Sequence, residues 1–262
     1  MQHRVAGNAY RLHSVRIATL IAAAAPAGPA VAQSASIGAD IVSRYVWRGI
    51  DFGESMSVQP GLTIAIAGLE FGAWGSYSIS ASGSTANEND LWASYTHEFS
   101  SGASVSVGVT DYYFPGPGAE GFLVGDAHTL EFSASLSGPE SLPVSLFAGI
   151  VEVKKEAEGG KEEDTYTLYV EAGLPLGTLE GVELGAHAGM VAGESTFYGT
   201  PNASLVNLGI TASKALRITE SFAPPVTVSY IVNTAASYEE KGENDFEKRA
   251  RAYLVFALSL SP

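Results

Sequence analysis

The sequence contains no cysteine, so disulfide staples, thiol catalysis and thiolate-bound metals are all excluded. It is also poor in charge, with 16 % Asp, Glu, Lys and Arg, and basic residues are outnumbered 14 to 28. That balance argues against nucleic acid as a partner, because holding a polyphosphate depends on clustered Lys and Arg. Five histidines limit the supply of general bases and imidazole ligands. Beyond residue 32 no stretch reaches roughly 18 continuous apolar residues, so a membrane-spanning form would have to be a closed barrel rather than helical. What the chain does have is 46 % hydrophobic content over 262 residues, enough for one compact unit and too much for a disordered one.

The start of the chain reads as an export signal. Arg4, Arg11 and Arg16 form a basic region, Ile17 to Ala25 is apolar, and Ala30-Val31-Ala32 is a small-x-small cleavage site before Gln33. Pro26, Gly28 and Pro29 interrupt the apolar run too early for a spanning helix. The sequence therefore predicts a secretory signal peptide over 1–32 and a mature domain over 33–262. Removing 1–32 takes three of the 14 basic residues and no acid, leaving 11 against 28 acidic residues, a formal charge of −17.

Hydrophobicity in the mature chain has a period of two. In 128–138, Leu130, Phe132, Ala134 and Leu136 share one face while Thr129, Glu131, Ser133, Ser135 and Ser137 share the other. The same pattern recurs near 37–47, 58–67, 69–80, 89–99, 103–113, 128–138, 143–153, 165–175, 182–191, 204–214, 225–233 and 250–260. These are twelve segments, mostly as long as a tilted membrane-crossing strand of roughly 9–11 residues. Links around Gly68, Ser101-Gly102 and Gly138-Pro139 are short. They alternate with longer polar links at 48–57, 81–88, 114–127, 154–164, 192–203 and 234–249, while 176–181 and 215–224 are intermediate. Short turns on one rim and long loops on the other predict an all-β, transmembrane, antiparallel up-and-down barrel of about twelve strands in a bacterial outer membrane, with lipid as its partner. Tyr45 and Trp47, Tyr112 and Tyr113, Tyr166 and Tyr169, and Phe197 and Tyr198 fall near strand ends, as interfacial girdles would. The competing architecture is a secreted β-sandwich, which buries its apolar face in a core rich in large side chains; here the polar face is mostly Ser, Thr, Gly and Ala, small enough to sit inside a barrel.

Specific residues also carry a resemblance. Ser43-Arg44-Tyr45-Val46-Trp47-Arg48-Gly49-Ile50, Gln59-Pro60-Gly61, Gly72-Ala73-Trp74-Gly75-Ser76 and Asp111-Tyr112-Tyr113-Phe114-Pro115-Gly116 resemble the TorF-type porins, also filed as the gcw family of exported proteins. That family shares a Tyr-x-x-Arg-Gly segment and a later Trp-x-Ser. The residue-level likeness lies in about the first third of the mature chain, and Ala73 stands where the family's Gly-Cys-Trp label has Cys. The resemblance implies an outer-membrane porin and no particular substrate.

Strand parity then predicts the inner wall. With Ile37, Ala39, Ile41, Tyr45 and Trp47 facing outward, Asp40, Arg44 and Arg48 face the lumen, because Arg toward lipid costs ~2–4 kcal/mol at mid-depth. By the same rule Glu70, Trp74, Asp90, Trp92, Glu98, Glu131, Glu171, Glu183, His187 and Arg251 point inward. An acid-leaning lumen fits either a pore passing small polar or cationic solutes or an internal ion-pair network plugging a closed barrel. Twelve strands lie between the eight that side chains fill and the 16 to 18 that leave an aqueous channel, so strand number alone leaves both open. An enzyme would need Ser, His and an acid in register, yet no Gly-x-Ser-x-Gly elbow accompanies His97, His128 or His187, and no catalytic residue is assigned. Acidic segments at 87–90 and 239–245 lack EF-hand spacing and read as solvated loops, so no metal ligand or cofactor is expected.

Overall fold

A computed structural model describes residues 33–53, 55–80, 87–115, 122, 128–157, 161–235, 238–242, 245–248 and 251–261. The expected export signal over 1–32 and much of the long links near 81–88 and 114–127 lie outside that set. Sixteen strands are present among the described residues: β1 (Gln33–Val42), β2 (Tyr45–Trp47), β3 (Ile50–Gly53), β4 (Ser57–Ile66), β5 (Leu69–Ser78), β6 (Glu88–Glu98), β7 (Ser104–Tyr113), β8 (His128–Ser137), β9 (Ser145–Ala157), β10 (Lys161–Leu179), β11 (Val182–Val191), β12 (Ser204–Ala215), β13 (Pro225–Asn233), β14 (Tyr238–Gly242), β15 (Asp245–Lys248) and β16 (Arg251–Leu260). Twelve of them close an antiparallel up-and-down barrel in the order β1-β16-β13-β12-β11-β10-β9-β8-β7-β6-β5-β4. β1 joins first to last, pairing Ala39 with Leu260 on one side and Gln33 with Ile66 on the other.

Alternation is what makes these segments strands of a barrel. Along β8, Leu130, Phe132, Ala134 and Leu136 are exposed on the outside while Glu131 is buried and Ser133, Ser135 and Ser137 are half-buried inside. Short turns use left-handed residues where a two-residue link requires them: Ala67-Gly68 and Glu180-Gly181 both have positive φ at each position, the geometry whose twist matches flanking strands. The second of these corrects the expected link at 176–181. β10 continues to Leu179 through an irregularity between Pro175 and Gly177, where Gly177 takes φ 100°, so the strand bends instead of ending. The charged run at 154–164, expected to be a loop, is likewise mostly ladder, with β9 reaching Ala157 and β10 starting at Lys161.

The largest correction is at the first strand. It stops at Val42 instead of running to residue 47, and Ser43 anchors the bend by exchanging hydrogen bonds with Phe256: its N–H donates to the Phe256 carbonyl at 2.8 Å and its Oγ accepts from the Phe256 N–H at 2.9 Å. The chain then leaves the wall and forms the β2–β3 hairpin, in which Trp47 pairs with Ile50 around an Arg48-Gly49 turn with φ values of 48° and 77°. Tyr45 and Trp47, expected on the outer face, are therefore buried with the main aromatic cluster.

A hairpin across the lumen as the candidate functional site

Inside the wall, large side chains are accommodated by glycine on the neighbouring strand. Gly72 pairs with Trp92, Gly189 with Glu171 and Gly209 with His187. A Cβ at Gly72 would lie 1.9 Å from the Trp92 ring, and one at Gly209 would lie 2.2 Å from the His187 ring. The glycines thus let bulky and polar side chains lie flat along a curved inner wall.

The hairpin enters this space from between β1 and β4 and reaches the far side. Arg48 is 2 % exposed, and its guanidinium meets Glu131 on β8 in a two-pronged pair: Nη2 donates to Oε1 at 2.9 Å and Nη1 donates to Oε2. β8 lies seven steps from β1 round the wall one way and five the other, so this pair spans the lumen. Nη1 also donates to the Tyr198 hydroxyl at 3.4 Å, and Tyr112 donates to Glu131 Oε1 at 3.3 Å. Aromatic faces complete the enclosure, with Arg48 Cζ 4.4 Å from the Trp47 ring centre, 4.5 Å from Tyr169 and 4.7 Å from Phe147. A desolvated carboxylate and three ring faces compensate a charge that would otherwise be expensive to bury.

The turn beside it is equally confined. Asn233 Nδ2 on β13 donates to the Gly49 carbonyl at 3.0 Å, and a Cβ at position 49 would fall 1.8 Å from the Val206 carbonyl oxygen on β12. Arg48 itself holds a left-handed backbone conformation that costs an L-residue roughly 1–2 kcal/mol, a strain that persists only where surroundings fix it. The segment 192–203 folds over the same cluster: Ser195 bridges to Thr200, Thr167 and Ser195 share a 2.8 Å hydroxyl hydrogen bond, and Tyr198 stacks 5.7 Å from Tyr169 with the rings nearly parallel. Burial pushes the Tyr198 phenol up to about 12, so it stays protonated beside Arg48. From the cluster a polar chain leads along the wall: Tyr169 donates to Glu171, Asn207 Nδ2 donates to Glu171 at 2.7 Å, and Asn207 Oδ1 meets His187 Nε2 at 3.2 Å.

The residues expected to line the lumen are not brought together in one place. Arg48, Glu131, Glu171 and His187 join the network just described. Asp40, Trp74 and Asp90 are buried on the wall, with Trp74 opposite Asp90 across the β5–β6 ladder. Trp92 Nε1 donates to Glu70 at 3.2 Å, and both are half-buried. Glu183 is half-buried near the start of β11, whereas Glu98 and Arg251 are exposed at strand ends. Arg44 sits at the bend, its Nε 3.6 Å from Asp51 and its guanidinium over the Tyr253 ring at 5.7 Å. Tyr112, Tyr169 and Tyr198, read as girdle residues, are buried, while Tyr166 is exposed. Among the described residues no group of three or more His, Asp or Glu is placed to hold a metal ion.

A family model of bacterial proteins of unknown function (Gcw_chp) matches residues 23–259. Comparison with curated proteins finds no match.

Proposed function

The chain belongs to the Gcw_chp family of bacterial proteins of unknown function, and from the barrel's own geometry we propose an outer-membrane protein whose lumen is closed at rest by the β2–β3 hairpin. Passage of small polar or cationic solutes, the class that an acid-leaning inner wall favours, then requires that hairpin to move. The observation that carries this reading is the Arg48–Glu131 pair, spanning the lumen with both partners only 2 % exposed. A general diffusion pore keeps water around its inner charges; here the centre is a buried, packed aromatic cluster.

The membrane setting is supported by the outside of the barrel. Every barrel strand except β11 bears a large exposed apolar side chain, as with Ile37 at 60 % and Phe132 at 59 % exposure, and β11 presents Ala188. An apolar belt round a whole barrel suits hydrocarbon rather than water, being far larger than the patches that soluble surfaces carry. Toward the short-turn rim the inner wall remains half-open and rich in hydroxyls, including Ser94, Ser106, Ser133 and Ser135, which suits a polar vestibule beneath the plug.

Liposome swelling tests the proposal. Proteoliposomes holding the mature chain should exclude small neutral and cationic solutes. Those holding a chain in which 45–53 is replaced by a short Gly-Ser linker should swell. Swelling by the unaltered chain at the rate of the deleted one would show that the hairpin does not close the path.

A further inference from the structure

We infer that the luminal cage is a recognition site for a guanidinium-bearing cation, and that Arg48 is its tethered occupant. The inference builds on the closed-barrel reading and adds the class of solute that would open it.

The elements of the site come from different parts of the fold and would remain if the Arg48 side chain withdrew. Glu131 on β8 offers two carboxylate oxygens in the parallel arrangement that matches a planar fork of N–H donors. Phe147 on β9 and Tyr169 on β10 offer ring faces at 4.7 and 4.5 Å from Cζ, contacts made to the delocalised cation rather than to the aliphatic stem. Tyr198 accepts from Nη1 and Tyr112 is bound to the carboxylate itself. Glu131, Phe147, Tyr169 and Tyr198 act on the terminal planar group, and Tyr112 acts on the carboxylate that receives it. An ammonium would satisfy one carboxylate oxygen and lose the flat stacking, so the chemistry selects guanidinium over amine.

The tether is of a kind that can be displaced. Arg48 stands on a two-residue turn in a left-handed conformation, so releasing the hairpin relieves backbone strain instead of adding it. A free guanidinium compound entering from the hydroxyl-lined side would make the same contacts with the wall and leave Arg48 to solvent, a competition of like for like. Net negative charge on the chain favours accumulation of such a cation near the barrel.

The test uses the detergent-solubilised mature barrel and needs no membrane, so it can fail separately from the channel reading. Agmatine is the probe and putrescine, a dication of the same chain length with an ammonium in place of the fork, is the control. Titrating agmatine into the unaltered barrel should change Trp emission saturably as Trp47 leaves the cage, with putrescine at least tenfold weaker. Arg48→Ala should bind agmatine at least tenfold more tightly, and adding Glu131→Gln should abolish that binding. Should Arg48→Ala not assemble, Arg48→Lys serves, since it keeps the charge without the fork and should yield to agmatine more readily than Arg48. An unaltered barrel that ignores tens of millimolar agmatine, or one that answers both cations equally, would overturn the inference and leave Arg48 as a fixed structural strut.

Discussion

Arg48 and Glu131 bury opposite charges in an aromatic setting, and the consequence is an asymmetry between removing one partner and removing both. Glu131→Gln leaves a desolvated guanidinium without its counter-charge and should cost about 3–5 kcal/mol, whereas Arg48→Met with Glu131→Leu should cost much less than either change alone. Denaturant unfolding of the refolded barrel checks this, and additive single effects would mean the pair is solvated. Gly49 is constrained twice, by its positive φ and by the Val206 carbonyl oxygen, which lies 1.8 Å from where a methyl group would stand. Gly49→Ala should therefore add overpacking of roughly 1–3 kcal/mol to the left-handed penalty of ~1–2 kcal/mol, and the relief available is to expel the hairpin. The expected outcome is a barrel that still forms but gives up Asp51 and Ile50 to protease; a protected hairpin in that variant would contradict the packing described. Much of this site was legible one residue at a time, since parity alone assigns Glu131, Glu171 and His187 to one side of their strands. It also assigns Tyr112 with Thr110 and Tyr169 with Glu171, but grouping them by their place near strand ends gave them to the girdle. Which of these side chains meet is a matter of barrel closure, and no local pattern carries it.

At the level of elements, the regular strands were readable because the two faces of each meet different surroundings and each side chain belongs to one face. The hairpin was not, because the alternation of 37–41 resumes in register at Tyr45 and Trp47, so 37–47 reads as one strand across a brief break at Val42-Ser43. The available signals were that break and the Arg48-Gly49 dipeptide, a turn type that requires positive φ and that ends a strand. Strand parity past Val42 then refers to a hairpin that has left the wall: both faces of Tyr45–Trp47 are buried, while Ile50, Asp51 and Phe52 are half-buried. The hairpin's attachment at Ser43 makes a further expectation. Ser43→Ala removes the side-chain acceptor for the Phe256 N–H and should loosen the bend by about 0.5–1.5 kcal/mol, read as faster hydrogen exchange at Phe256 with the rest of β16 unchanged. Uniform protection along β16 would place the bend's anchor elsewhere.

For the whole molecule, the outer belt and inner network impose opposite rules on neighbouring positions. Phe132 and Ser133 are adjacent on β8, one on the exposed outer face and the other half-buried within. On the outer-membrane reading, Phe132→Arg should cost about 2–4 kcal/mol on the lipid-facing side and block assembly, while Ser133→Arg should assemble. Reversed outcomes in an assembly assay would mean that the apolar belt does not face lipid. The central claim concerns the hairpin, and the measurement that reaches it most directly is single-channel conductance of residues 33–262 and of their Arg48→Ala variant in a planar bilayer, with a salt gradient to report ion preference. A closed lumen latched by Arg48 should give inserted, heat-modifiable but electrically silent protein, and Arg48→Ala should show openings that favour cations because Asp40, Asp90, Glu131 and Glu171 remain on the wall. Steady conductance of the same size in both proteins would contradict it.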